Sequence, residues 1–276
     1  MVKPSPFKGR VALVTGASSG IGAAVARSLA REGMLVILLA RRVERLDELA
    51  WEIRAAGGEA ETLPADISLE KERVSVFDRV TDRFGRLDLL VNNAGMGYFG
   101  FAAEMPWQTA SEILAVNISA IVHLCLLFLP GMKKHGSGQV INISSIAGKM
   151  PNQGIAVYSG SKSFLDSFST SLYREMRGSG VNISTLRPGP VSSEFFDTSQ
   201  ERSSGNRRTP GELFAIPPER VARAVISLVH RPRRRAYVPS YLVVSPMLEV
   251  LFGWAIDLVG PVLLKRKTPL PLNGVK

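Results

Sequence analysis

Short apolar runs of strand length alternate with longer amphipathic stretches along most of this chain. Residues 11–14 form a first apolar run, and a helical pattern follows through Leu29. Residues 34–39 form a second run before a helix expected over 44–56. Residues 59–63 read as a third strand, with a helix from about Leu69. Residues 87–91 and the β-branched run 139–143 are further buried strands. A long apolar segment, 113–129, lies between them, and a helix after Pro217-Pro218 precedes a short strand near Tyr237.

The tail, 239–276, follows a different pattern. Ser245-Pro246 opens a helix and Gly260-Pro261 is expected to stop it. Glu249, Gly253 and Asp257 recur at every fourth position, which gives a narrow polar stripe on a helix that otherwise carries Phe252, Trp254 and Ile256. At 1.5 Å per residue that helix reaches roughly 21 Å, short of the roughly 30 Å of a hydrocarbon core. It is therefore expected to pack over a pocket or at a subunit interface, with peripheral membrane contact, assisted by Lys265-Arg266-Lys267, as the alternative.

Composition narrows the class. With 276 residues, 45% hydrophobic and 21% charged, the chain has the make-up of one globular domain over 1–276, and this length is ordinary for α/β architectures. The single cysteine, Cys125, excludes an intramolecular disulfide framework and fits a reducing compartment. No apolar leader precedes Phe7, so a cytoplasmic location is expected. A net charge of +10 raises the question of nucleic acid. The basic clusters, Arg231 to Arg235 and Lys265 to Lys267, are not interleaved with aromatics, so no nucleic-acid partner is expected. The three histidines and one cysteine show no metal-ligand spacing, and no metal is expected.

The candidate chemistry gathers at Ser145, Tyr158 and Lys162. Tyr158 and Lys162 are four residues apart, so a helix stacks them on one face. An unperturbed phenol titrates near 10, and an adjacent ammonium stabilises its phenolate. Ser145, delivered at the end of the 139–143 strand, can donate to a carbonyl oxygen that gains charge. Upstream, Thr15-Gly16-Ala17-Ser18-Ser19-Gly20-Ile21-Gly22 joins the first strand to the first helix. Such a turn brings backbone and helix N-terminus to a pyrophosphate. Its first glycine gap holds three residues, against one in the common dinucleotide fingerprint. No acid ends the second strand; Arg41, with Arg42 after it, favours a 2′-phosphate and hence NADP(H) over NAD(H). Asp66 is placed to accept from an adenine amino group, with Ile67 packed on the ring, or alternatively to cap the following helix.

Taken together, the 15–22 turn, Asn92-Asn93-Ala94-Gly95, Asn117, Ser145, Tyr158 with Lys162, and Pro188-Gly189 resemble the short-chain dehydrogenase/reductase family over about residues 8–238. The resemblance implies a Rossmann-type, doubly wound, seven-stranded parallel sheet with helices on both faces. It implies that Tyr158 donates or accepts the proton, that Lys162 lowers its pKa and holds the nicotinamide ribose, and that Ser145 orients the carbonyl. Asn117 is implied to sustain a water chain to Lys162, against the plainer reading of a core or capping amide. Cofactor positions implied are Gly16, Ser18, Ser19, Gly20, Ile21, Gly22, Arg41, Asp66, Ile67, Asn93, Ala94, Gly95, Tyr158, Lys162, Pro188, Gly189, Val191 and Ser193. Ser193 stands where the family often has threonine. A homodimer or homotetramer is implied as well.

Met96, Tyr98, Met150 and Phe195, on loops around these motifs, suggest an apolar substrate contacted also by Ser145 and Tyr158. Residues 192–216, polar and glycine-containing in the middle, read as a mobile lid. His123 sits among apolar residues and reads as core or helix-surface filler. The expected activity is NADP(H)-preferring interconversion of an apolar ketone or aldehyde and its alcohol. A non-catalytic cofactor-binding regulator and a lipid-handling protein at a membrane surface are the alternatives.

Overall fold

The strand-length runs assemble into one sheet in a computed structural model that describes residues 5–202 and 214–263. Its strands are β1 (Val11–Thr15), β2 (Leu35–Ala40), β3 (Glu59–Pro64), β4 (Leu89–Asn92), β5 (Gly138–Ile143), β6 (Val181–Pro188) and β7 (Arg235–Val238). They lie in the order β3-β2-β1-β4-β5-β6-β7. All neighbours are parallel, with Leu13 opposite both Ile37 and Leu90. The order reverses between β1 and β4, and in such sheets that crevice receives the ligand.

The helices are α1 (Gly20–Arg31), α2 (Val43–Ala55), α3 (Glu70–Phe84), α4 (Trp107–Leu114), α5 (Ile121–Lys134), α6 (Ala156–Glu175), α7 (Glu194–Glu201), α8 (Pro218–His230) and α9 (Ser245–Leu263). Alternation along β1 sorts them onto two faces. Ala12 and Val14 pack with Leu29 of α1, Leu46 of α2 and Val225 of α8. Val11 and Leu13 pack with Val76 of α3, Leu124 of α5 and Leu165 of α6. Each fully buried Leu or Val removes enough apolar surface to contribute about 1.5–3 kcal/mol. Both faces of the sheet's centre are covered, which is why β1 and β2 read as nearly unbroken apolar runs, whereas the edge strand β3 carries Glu59 and Glu61.

Between α4 and α5 the helix widens into one π turn, Ala115–Ala120, which carries Asn117. The composite helix, 107–134, is apolar and long enough to cross a bilayer by composition, yet Ile113, Ala120, Leu124, Phe128 and Leu129 are core.

The expected start of the tail helix at Ser245 holds, but the expected stop does not. α9 runs to Leu263, so Gly260-Pro261 lies in its last turn. The polar stripe divides: Glu249 and Gly253 are half-buried beside the buried Ser245, whereas Asp257 is exposed, as are Met247, Val250, Leu251, Trp254 and Leu258. Residues 203–213 of the expected lid, and Lys265 to Lys267 of the tail, lie outside the described residues.

Candidate active site

The C-terminal ends of the central strands open into one cleft of about 1070 Å³. At one end of it the chain turns from β1 into α1. Gly16 has φ +65°, and a Cβ there would stand 2.9 Å from Ala94 Cα. A Cβ on Gly22 would meet Gly16 O at 2.1 Å, so only glycine lets the helix pack this closely behind the turn. Asn93 fastens the turn to the end of β4: its side-chain amide donates to Thr15 O at 2.9 Å and to Gly16 O at 3.2 Å. The Thr15 hydroxyl in return accepts from the backbone N–H of Asn93 and Ala94, both at 2.9 Å.

After β2 the two arginines part. Arg41 stands 3.7 Å from the Asp66 carboxylate. Arg42 turns back to the glycine turn and donates to Ser18 Oγ at 3.1 Å and Ser19 Oγ at 3.0 Å. It also pairs with Glu194 at 2.8 Å, and this guanidinium holds the Glu194 carboxyl below its usual range. Asp66 does not cap α3. Its Oδ1 accepts from Ser68 N at 2.9 Å, and Leu69 is the N-cap. Burial pushes the Asp66 carboxyl up, but hydrogen bonds from Ser68 and the charge of Arg41 outweigh it and hold it below the usual value.

At the other end, α6 presents Tyr158 and Lys162 one turn apart, with the Lys162 ammonium 5.8 Å from the Tyr158 ring centre. Lys162 is buried, and its Nζ donates to Ile143 O at 2.9 Å. Burial pushes its pKa down to about 8 against the opposing pull of Asp166. Ser145 follows β5 and hydrogen-bonds Tyr158; desolvation raises the phenol above its ordinary value in spite of that bond. Near neutral pH Tyr158 is therefore a phenol with its proton on.

Asn117 does not reach the cleft wall. Its Oδ1 accepts from Met96 N at 2.8 Å, and its Nδ2 donates to Met96 O at 2.9 Å and Ser161 Oγ at 3.0 Å. It thus ties the loop after β4 to α6. Gly95, between them, would place a Cβ 3.5 Å from Asn117 Oδ1 and 3.6 Å from Lys162 Nζ.

Every other expected cofactor position except Gly22 lines the cleft, as do Ser145, Met96, Met150 and Phe195. Tyr98 does not. It is a core residue at 1% exposure, with its ring against Gly100, because the loop after β4 folds it beneath the surface. Sequence reasoning passed over Glu194 and Phe252: the first follows the expected Ser193, and the second belongs to the tail, which only the tertiary fold brings to the cleft with Leu242 and Ala255. It also passed over the polar partner of His123, since Arg73 lies 50 residues away.

Residues 10–204 match the family model for short chain dehydrogenases. The chain belongs to that family. This short-chain dehydrogenase is 30% identical over 258 residues to ketoacyl reductase HetN of Nostoc sp. (strain PCC 7120), covering 94% of this chain and 88% of the relative. It is 34% identical over 236 residues to glycine betaine reductase ATRR of Emericella nidulans, where the match takes in 85% of this chain but only 19% of that longer protein. Among solved structures, a metagenomic short-chain oxidoreductase in complex with NADP superposes with a TM-score of 0.72 at 37% identity, over 84% of this chain and 96% of that one. The dehydrogenase is accordingly an NAD(P)-dependent oxidoreductase with a Rossmann-type fold.

The cleft fits such a cofactor on its own geometry. The close glycine turn ahead of α1 leaves the backbone bare at a helix N-terminus, where an anion is favoured. Arg41 and Arg42 stand at the end of β2, and Asp66 and Ile67 stand beyond β3.

Proposed function

We propose that this dehydrogenase is an NADP(H)-preferring reductase of an apolar ketone or aldehyde. The observation that carries the reading is the placement of Tyr158, hydrogen-bonded to Ser145, in a cleft walled by Met96, Phe99, Met150, Phe195 and Phe196. Phe195 stands 5.5 Å from the Tyr158 ring and Phe99 stacks on Phe196, so this wall is aromatic and apolar next to the proton donor.

A bound nicotinamide would supply the hydride to the carbonyl carbon or, in the reverse direction, accept it. The chain's own residues manage the oxygen. Tyr158 gives its proton to the carbonyl oxygen, and Ser145 donates a hydrogen bond that strengthens as negative charge gathers there. Lys162, charged below about pH 8, stabilises the phenolate that is left. Arg41 and Arg42, with no acid at the end of β2, support selection of the 2′-phosphate.

The test is consumption of NADPH and of NADH across short, aromatic, steroid-like and long-chain carbonyls, 3-ketoacyl thioesters among them, with direct cofactor titration alongside. Tyr158→Phe should lower turnover by about 10²-fold or more and leave NADPH affinity nearly unchanged. Robust turnover by that variant would mean that another group supplies the proton. Tight NADPH binding without turnover of any carbonyl, or of the corresponding alcohols with NADP⁺, would favour a cofactor-binding regulator.

A further inference from the structure

Arg73 is a charged side chain at 6% exposure in the first turns of α3. A buried cation is tolerated only where its donors are satisfied. Here Nη1 donates to Ile67 O at 2.7 Å and to Ser68 O at 3.1 Å, while Nε donates to the His123 ring nitrogen Nδ1 at 2.9 Å. Desolvation lowers the Arg73 pKa, and the negative charge of Glu70 opposes that shift. Two of its three bonds end on consecutive carbonyls of a single turn.

That turn is the one that carries Asp66 and Ile67 into the cleft. Asp66 Oδ1 is held from within by Ser68 N, and Arg73 grips the carbonyls on either side of Ser68, those of Ile67 and of Ser68 itself. The orientation of the Asp66 carboxylate therefore depends on where Arg73 stands. Arg73 in turn is aimed by His123, whose Nδ1 must offer its lone pair, which assigns the ring proton to Nε2. His123 lies on α5, six residues beyond Asn117 in the same continuous helix, so about 9 Å of helix separates the anchor of this turn from the anchor of the Met96 loop.

We infer that Arg73 and His123 are positioning residues for the adenine end of the cofactor site: Arg73 fixes the Asp66–Ser68 turn through two carbonyls, and His123 holds the guanidinium in line. The inference rests on the reading of Asp66 as acceptor for the adenine amino group. Neither residue touches the reacting atoms. Their effect falls on cofactor affinity and on discrimination at the purine, and leaves the proton transfer at Tyr158 alone.

The experiment is a fluorescence titration of the full chain with NADPH and with its hypoxanthine analogue, in which a 6-oxo group replaces the 6-amino group, with melting temperature recorded for every variant. Wild-type protein should prefer NADPH. Arg73→Leu should weaken NADPH by about tenfold to a hundredfold and the analogue by much less, because the analogue has no amino donor for Asp66 to lose. His123→Leu, at a half-buried position, should move the same ratio by a smaller factor and carries the test if Arg73→Leu does not fold. His123→Asn offers Oδ1 where Nδ1 stood and should restore the wild-type ratio. With a turned-over carbonyl, KM for NADPH should rise while kcat holds.

Equal weakening of both cofactors in the two leucine variants would show a merely structural pair and overturn the inference. Equal effects of His123→Asn and His123→Leu would remove His123 from it. Wild-type binding that does not distinguish the two purines overturns the adenine assignment and the clamp together. A failure of the proposed reduction looks different, because turnover would then be missing with NADPH binding and purine discrimination intact.

Discussion

At the scale of single residues, charge type and position do most of the discriminating. Arg41 and Arg42 are neighbours in sequence and start the same helix, yet their side chains serve different corners, one beside Asp66 and one across Ser18 and Ser19. An arginine here accommodates a 2′-phosphate, and a carboxylate repels it. Arg41→Asp should therefore weaken NADPH by about tenfold or more while NADH changes little, as read by titration with each cofactor. An unchanged NADPH-to-NADH ratio would mean that Arg41 does not select the cofactor. Tyr98 shows the limit of residue-level reasoning. Its type and neighbourhood suit a substrate wall, and only the path of its loop buries it.

At the scale of elements, α6 is the organising piece because helical spacing stacks Tyr158, Lys162 and Asp166 at successive fourth positions. Burial lowers Lys162 and Asp166 raises it, and the outcome is a pKa of about 8. The ammonium is present below that value and lost as pH rises through it. Reduction should accordingly slow above about pH 8, visible as the alkaline limb of the kcat profile. Stability moves the other way. Between about 8 and the ordinary 10.5 the unfolded chain binds a proton that the folded chain does not, so unfolding free energy should rise with pH across that window. Lys162→Met should flatten the stability trend. A wild-type rate that is level from pH 7 to 10 would separate Lys162 from the proton transfer.

At the scale of the whole molecule, a buried ion pair joins the site to the sheet. Arg187 on β6 and Asp166 on α6 are each about 1% exposed and meet at 2.9 Å. Lys149 approaches the same carboxylate at 3.3 Å, and the Tyr237 hydroxyl accepts from Arg187 at 3.2 Å, which brings in β7. Removing one partner strands a buried charge. Arg187→Met should destabilise the protein by about 3–5 kcal/mol in denaturant unfolding, and the double variant Asp166→Leu/Arg187→Met should recover much of that. A double variant no better than the single one would show that packing, and not the stranded carboxylate, sets the loss. The tail belongs to this scale too. α9 brings Phe252 and Ala255 to the cleft while Met247, Val250, Trp254 and Leu258 stay exposed, so this helix leaves much of its apolar surface uncovered in the single chain.

Much of this protein was legible in the order of its residues. The alternation of buried strands and helices follows from apolar runs flanked by turn residues, and the parallel sheet followed once the glycine turn, the Asn92-Asn93-Ala94-Gly95 segment and the Tyr158/Lys162 pair had shown the family. Those features are local: a glycine turn between strand and helix, or a pair at helical spacing, needs only a few consecutive residues to be recognised. The tertiary structure alone decided what depends on distant segments meeting. Arg42 reaching Glu194, Arg73 meeting His123, Asn117 holding Met96 and the tail closing one side of the cleft all join residues far apart in sequence. No periodicity records such pairings. A hydrogen bond or an ion pair is fixed by three-dimensional distance and orientation, and these exist only after the sheet has brought its loops together.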